Sequence, residues 1–222
     1  MNIYFLLVVL IGVFAFAIVQ YLDYQRTQAI KAIAHQLGFT YRQTPQPGLF
    51  YQETPGQFID ARIRESVLCS RGRHRRLKNV IEGKWKNQQI LVGDYAYTTG
   101  SGKNKSTHRQ TIVVVDCAQS YLPQFSLVPE NIFHKISNFL GYADINFNNY
   151  PQFSKRYRLT GPDEAAIRNC FTSEVLTFFE QHGSFCVESL GTVLLYYKRG
   201  YRVKPQEWQK LMNTACRVYD QF

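Results

Sequence analysis

The chain has 222 residues, of which 45% are hydrophobic and 15% aromatic, enough apolar surface for a substantial core and too much for a disordered tail. Its formal net charge is +10. Its five cysteines show no paired short spacing, which excludes a disulfide-stapled mini-protein and a four-cysteine zinc module.

From Ile3 to Leu22 no residue carries a charge. Twenty helical residues span about 30 Å, the thickness of a bilayer's hydrocarbon core. A helix there satisfies its own backbone hydrogen bonds, which a loop could not. Tyr4, Tyr21 and Tyr24 fall where interfacial aromatics belong. Ala15-Phe16-Ala17 mimics a signal-peptide cleavage site, but no Lys or Arg precedes the run and its apolar character continues through Ile18 and Val19. Residues 1–22 are therefore read as an uncleaved transmembrane anchor, with the lipid bilayer as partner of residues 3–22. On the carboxyl flank stand Arg26, Lys31 and Arg42 against Asp23. The positive-inside rule then predicts a single-pass protein of the plasma (inner) membrane with its C-terminal domain in the cytoplasm. Five scattered thiols agree with a reducing compartment, and Cys170 and Cys216 read as plain packing on apolar helix faces.

Residues 23–60 read as a juxtamembrane helix and connector. Ile30, Ile33, Ala34 and Leu37 recur at helical spacing, and Gly38 supplies the stop. Thr44-Pro-Gln-Pro-Gly48 and Thr54-Pro-Gly56 then break the chain into short extended pieces. Residues 61–222 form the expected cytoplasmic domain. Leu77–Trp85, Gln89–Thr98 and Thr107–Cys117 predict an antiparallel three-stranded meander, with a turn at Lys86-Asn87-Gln88 and a polar loop at Gly100–Ser106. The Ile112-Val-Val-Val115 run suits a strand covered on both faces. Further on, Asn131–Leu140 predicts a short helix and Arg156–Leu159 a strand. Gly161-Pro162-Asp-Glu opens a helix with Pro at its first position, and Thr172-Ser-Glu opens a second. A hairpin follows around Leu190-Gly191, and then a helix from Pro205. The last helix has Trp208, Leu211, Met212, Ala215, Cys216 and Tyr219 in one stripe. Strands and helices do not alternate strictly, so the fold class is α+β with a mainly antiparallel sheet.

Charge is concentrated. Residues 61–110 carry twelve Lys and Arg against Glu65, Glu82 and Asp94, while the rest of the chain is nearly balanced. The densest part, Arg71-Gly-Arg-His-Arg-Arg-Leu-Lys78, lacks enough nearby acids to be buried and is expected as an exposed loop. A solvated charge run with no partner is the plain reading. Beside a tether, however, each basic residue near an anionic leaflet contributes on the order of 1 kcal/mol, at high effective concentration. Arg71, Arg73, Arg75, Arg76 and Lys78, with Lys103 and Lys105 of the Gly100–Ser106 loop, are therefore the candidate membrane- or anion-binding residues. Their partner would be anionic lipid head groups or another membrane protein. Nucleic acid, gripped by the arginines and stacked on Trp85, Tyr95 and Tyr97, is outweighed because no helix-turn-helix, zinc-finger or aromatic RNA-binding signature accompanies them.

No motif carries a reaction. Gly100-Ser-Gly-Lys103 fails the Walker pattern, since Tyr97 and Asn104 stand where Gly and Ser or Thr are needed. No His or Cys pair has metal-ligand spacing, so no metal or cofactor is expected. A tethered hydrolase using His108 with Asp94, Asp116 or Cys117 is the alternative, and it requires these groups to meet in one cleft.

Gly93-Asp-Tyr-Ala-Tyr-Thr-Thr-Gly-Ser-Gly-Lys103 with Thr107-His-Arg-Gln-Thr111, and Arg156-Tyr-Arg-Leu-Thr-Gly-Pro-Asp-Glu164, resemble two blocks of an uncharacterised bacterial family. Gly93 stands where that family commonly carries an aromatic. The resemblance spans most of residues 70–222 and implies one amino-terminal membrane helix with a single cytoplasmic domain. It brings no activity, ligand or catalytic set. Together these features predict a membrane-anchored binding or assembly protein.

Overall fold

A computed structural model describes residues 3–44, 61–117, 120–133 and 141–222. Helix α1 runs unbroken from Ile3 to Leu37. Gly38 ends it at φ 67°, where the Phe39 N–H closes on the Ala34 carbonyl at 2.8 Å. From Tyr4 to Gln25 its side chains are exposed, and it is long and apolar enough to cross a membrane. Beyond Arg26 the helix changes character. Ile30 and Ala34 are fully buried and Ile33 and Leu37 pack beside them, so its last turns belong to the core.

The strands are β1 (Thr40–Arg42), β2 (Arg73–Trp85), β3 (Gln88–Thr99), β4 (Ser106–Asp116), β5 (Phe125–Pro129), β6 (Tyr157–Thr160), β7 (Cys186–Ser189) and β8 (Val193–Tyr197). They form one eight-stranded sheet in the order β1-β2-β3-β4-β8-β7-β5-β6, antiparallel at every pairing. The expected meander is present as β2–β3–β4. The Val113-Val-Val115 run is buried on both faces at the sheet's middle. The helices are α2 (Glu130–Phe133), α3 (Pro151–Arg156), α4 (Glu164–Cys170), α5 (Ser173–Gln181) and α6 (Trp208–Tyr219). The class is α+β.

Two cores flank the sheet. On one face Val92, Val113 and Val115 meet Ile30 of α1, Phe153 of α3, Phe179 of α5, and Trp208 and Met212 of α6. On the other, Leu77, Leu91, Tyr95, Tyr97, Ile112 and Val114 are covered by Ile63, Leu68 and Cys69 from the segment before β2. The stripe read from the last helix is the one that packs.

Several local expectations are corrected. The basic run after Arg71 is not a loop: from Arg73 it is strand, because its pairing with β3 begins at Arg73–Thr98. Gly72 allows that start, for a Cβ there would lie 2.3 Å from the Thr98 carbonyl oxygen. Pro162 does not open α4; Asp163 caps it, accepting from the Ala166 N–H at 2.9 Å. The helix expected over Asn131–Leu140 is described only through Phe133, and residues 134–140 and most of the 41–60 connector lie outside the described residues. Strand β5 and helix α3 were not anticipated. At Gly93 a Cβ would meet the Leu77 side chain at 2.8 Å, so Leu77 occupies the room an aromatic would take.

Candidate functional site

Asp94 lies where α1, β2, β3 and the segment before α6 converge. Its carboxylate accepts from Arg26 Nε and Nη2 at 2.8 and 2.7 Å, and from Arg202 Nε and Nη2 at 3.3 and 3.2 Å. Asn79 Nδ2 and Thr111 Oγ1 complete it, each at 3.3 Å. Arg26 also donates to the Val203 carbonyl at 2.8 Å and lies over the Trp208 ring, and Arg202 reaches back to Asp23 at 3.1 Å. Both partners of the Arg26–Asp94 pair are nearly buried. Removing one from so dry a pair costs about 3–5 kcal/mol, much of it from the charge left behind. This cluster joins the long helix to the sheet.

Above Asp94 opens a cleft of about 310 Å³. Arg76 and Lys78 of β2, Lys105 just before β4, Arg109 within it, and Arg202 line it, with Asp23 and Asp94 as its acids. The register explains the grouping. Arg76 and Arg109 are the two cross-strand neighbours of Ala96, and Lys78 is paired with Asp94, so all project from one face. The leucine between them, Leu77, points into the opposite core. Arg202 belongs to Lys198-Arg-Gly-Tyr-Arg-Val-Lys204, a loop with an exposed Tyr201 beside the base of the apolar segment.

The sequence-based candidates divide accordingly. Arg76, Lys78 and Lys105 share this cleft, joined by Arg109 and Arg202, which sequence reasoning did not select. Arg73 lies outside its lining and donates to the Gly100 carbonyl at 2.6 Å, and Lys103 is exposed on the 3-10 turn Gly102–Asn104. Arg75 is half-buried, bonded to the carbonyls of Ser70, Arg71 and Gly72. Arg71, also half-buried, acts electrostatically on the buried groups of the opposite core. The signal that could have found Arg202 was the Lys198–Lys204 loop, with four basic residues in seven.

The hydrolase constellation is not assembled. His108 pairs across the ladder with Tyr97, while Asp94 pairs with Thr111, so the two lie on opposite faces of the sheet. His108 stacks on Tyr97 and bonds Thr99 Oγ1 at 2.9 Å; burial, then Arg199 and Arg71, push its pKa down. Asp116 is eight residues away along β4, about 26 Å. Cys117 belongs to the other core, where burial raises its thiol to about 12. Tyr95 and Tyr97, on which the outweighed nucleic-acid reading would have stacked bases, are core side chains. Among the described residues no group of three His, Cys, Asp or Glu could hold a metal.

In the opposite core Glu188 is a buried carboxylate. It accepts from the Val67 and Leu68 N–H groups and from Tyr197 Oη at 2.8 Å, pinning the segment that covers this face. Burial pushes its pKa up to about 7 against those hydrogen bonds and Arg71, which lower it.

No family model matches the chain, and no curated protein matches it. Among solved structures it is similar to the crystal structure of the mycobacterial trehalose monomycolate transport factor A, TtfA, with a TM-score of 0.58. That match covers 88% of this chain and 93% of the other at 11% identity, a likeness of fold.

Proposed function

We propose that the chain is a single-pass membrane protein whose α+β domain, on the cytoplasmic side, binds the anionic surface of the leaflet in which it is anchored. The observation that carries this reading is the continuity of α1. One rigid helix holds the uncharged stretch Ile3–Leu22 and, a turn later, is clamped to the sheet by Arg26 and Asp94. The domain is thereby kept close to the membrane, and tilting of α1 in the bilayer brings the domain's basic face down onto an anionic leaflet. Its basic residues, Arg73, Arg76, Lys78, Lys103, Lys105 and Arg109, would then sit within a Debye length of lipid phosphates. Support of a looser kind comes from the fold neighbour, whose described role concerns transport of a mycolate ester of trehalose. A binding or assembly role is preferred to the hydrolase reading because His108 does not share a cleft with Asp94, Asp116 or Cys117.

The test uses the full-length chain in lipid nanodiscs, with a fluorophore on Ser101→Cys in the exposed β3–β4 loop and a quencher on the lipid. Quenching is expected to be stronger in phosphatidylglycerol discs than in phosphatidylcholine discs and to be lost at high salt. Equal quenching in both lipids at low salt would overturn the docking reading.

A further inference from the structure

We propose that the cleft between α1 and the β2–β3–β4 meander binds a lipid head group ending in a phosphate monoester. The proposal rests on the reading that α1 is a membrane anchor and that the domain docks on anionic lipid. It adds a site and a ligand class to that reading.

The charges of the cleft are unequal in a specific way. Its acids, Asp23 and Asp94, are already engaged by Arg26 and Arg202. Arg76, Lys78, Lys105 and Arg109 also face the cavity, and none has an ion-pair partner among the described residues. Four cations gathered without counter-charge repel one another, and an anion entering the cavity relieves that repulsion.

Spacing selects the anion. Arg76 and Arg109 flank Ala96 from the strands on either side. Their backbones are therefore two strand spacings apart, about 9.6 Å, with only a methyl group between them. That gap admits a phosphate gripped from both sides by guanidinium forks at about 2.7–2.9 Å. A monoester offers three free oxygens and about 1.5–2 negative charges at neutral pH, while a diester offers two oxygens and one charge. Two forks with Lys78 and Lys105 suit the monoester. The cavity, at about 310 Å³, is at the lower end for a small-ligand site, with room for a head group.

Depth selects a lipid over a soluble phosphate. Asp23 lines the cleft and directly follows Leu22, the last residue of the uncharged stretch. The polar layer of a bilayer is about 5–8 Å thick on each side, so the cleft opens where lipid phosphates lie. Exposed Tyr201, next to Arg202, adds an aromatic of the kind that settles at this level.

The experiment reconstitutes the full-length chain into nanodiscs of phosphatidylcholine with either phosphatidic acid or phosphatidylglycerol at matched surface charge. Lipid retained by the protein after extraction into mild detergent is counted by native mass spectrometry. The native chain is expected to retain phosphatidic acid preferentially. Arg76→Gln with Arg109→Gln should reduce that retention about 25-fold, roughly fivefold for each cation. Arg73→Gln with Lys103→Gln removes the same charge outside the cleft and should leave the preference intact while weakening fluorescence quenching in both acidic lipids. Soluble glycerol phosphate in excess should not displace the lipid. Equal retention of the two lipids, or equal loss in the two double variants, would overturn the cleft assignment while leaving general docking in place. Displacement by glycerol phosphate would overturn the lipid assignment in favour of a soluble ligand. Absence of quenching in either acidic lipid would bring down docking and cleft together.

Discussion

Glu188 accepts from two backbone N–H groups and a tyrosine hydroxyl while almost no water reaches it. Burial raises its pKa from an ordinary 4.5 to about 7, so the folded chain holds a proton there that the unfolded chain has released. Its contribution to stability is therefore complete below pH 4.5 and declines as pH rises, until it is gone above about 7. The size is on the order of 3 kcal/mol. His108 works in the opposite sense, since its lowered pKa favours the fold as pH rises through the ordinary histidine range. The prediction is therefore a difference: thermal unfolding of the full-length chain in mild detergent, compared with Glu188→Gln across this pH range. The native chain should lose stability relative to the variant as pH rises, and parallel curves would show that Glu188 stays ionised throughout. None of this was legible in the sequence. All four residues of Cys186–Ser189 are buried, so no alternation marks Glu188 as the one needing partners.

Strand β2 carries two interruptions of register, between Arg73 and Arg76 and between Lys78 and Ile81, and each has a residue with positive φ, His74 at 51° and Asn79 at 52°. At Asn79 the bulge changes the phase of the strand. Leu77 and Val80 therefore share one core while Ile81 enters the other. Asn79 also ties elements together. Its Oδ1 accepts from Thr27 of α1 at 3.1 Å and from Tyr41 of β1 at 3.0 Å, and its Nδ2 donates to Asp94 of β3. Asn79→Ala should cost about 4–5 kcal/mol, from three hydrogen bonds of about 1 kcal/mol each and a left-handed backbone costing a further 1–2 kcal/mol. That is a fall in Tm of about 8–20 °C for a chain of this size. Asn79→Gly should restore the backbone part alone, and Tm values for both variants equal to the native one would refute the account. The meander and α1 were readable because their periodicities are long and clean. Strand β5 was hidden because it is only five residues long, follows Pro123 closely and ends in Pro129, and six-residue α3 is too short to show a period. The cleft was half readable: the charge run was visible, but a bulged strand decides which of its members face one way.

At the scale of the whole molecule, the proposed orientation is the premise that gives the basic cleft a partner. Arg26, Lys31 and Arg42 against Asp23 favour the carboxyl side remaining in the cytoplasm during insertion, before Arg26 and Asp23 find Asp94 and Arg202. The thiols provide a direct test. Cys69, Cys117, Cys186 and Cys216 are buried and Cys170 is half-buried, so an exposed cysteine at Ser101 stands out against a Cys170→Ala background. A membrane-impermeant maleimide applied to intact cells should leave Ser101→Cys unmodified, and the same reagent should label it fully once the membrane is opened. Labelling in intact cells would place the domain on the outer side. Lysines and arginines at the base of the anchor would then face a different leaflet, and the lipid chosen to explain the cleft would have to be sought there.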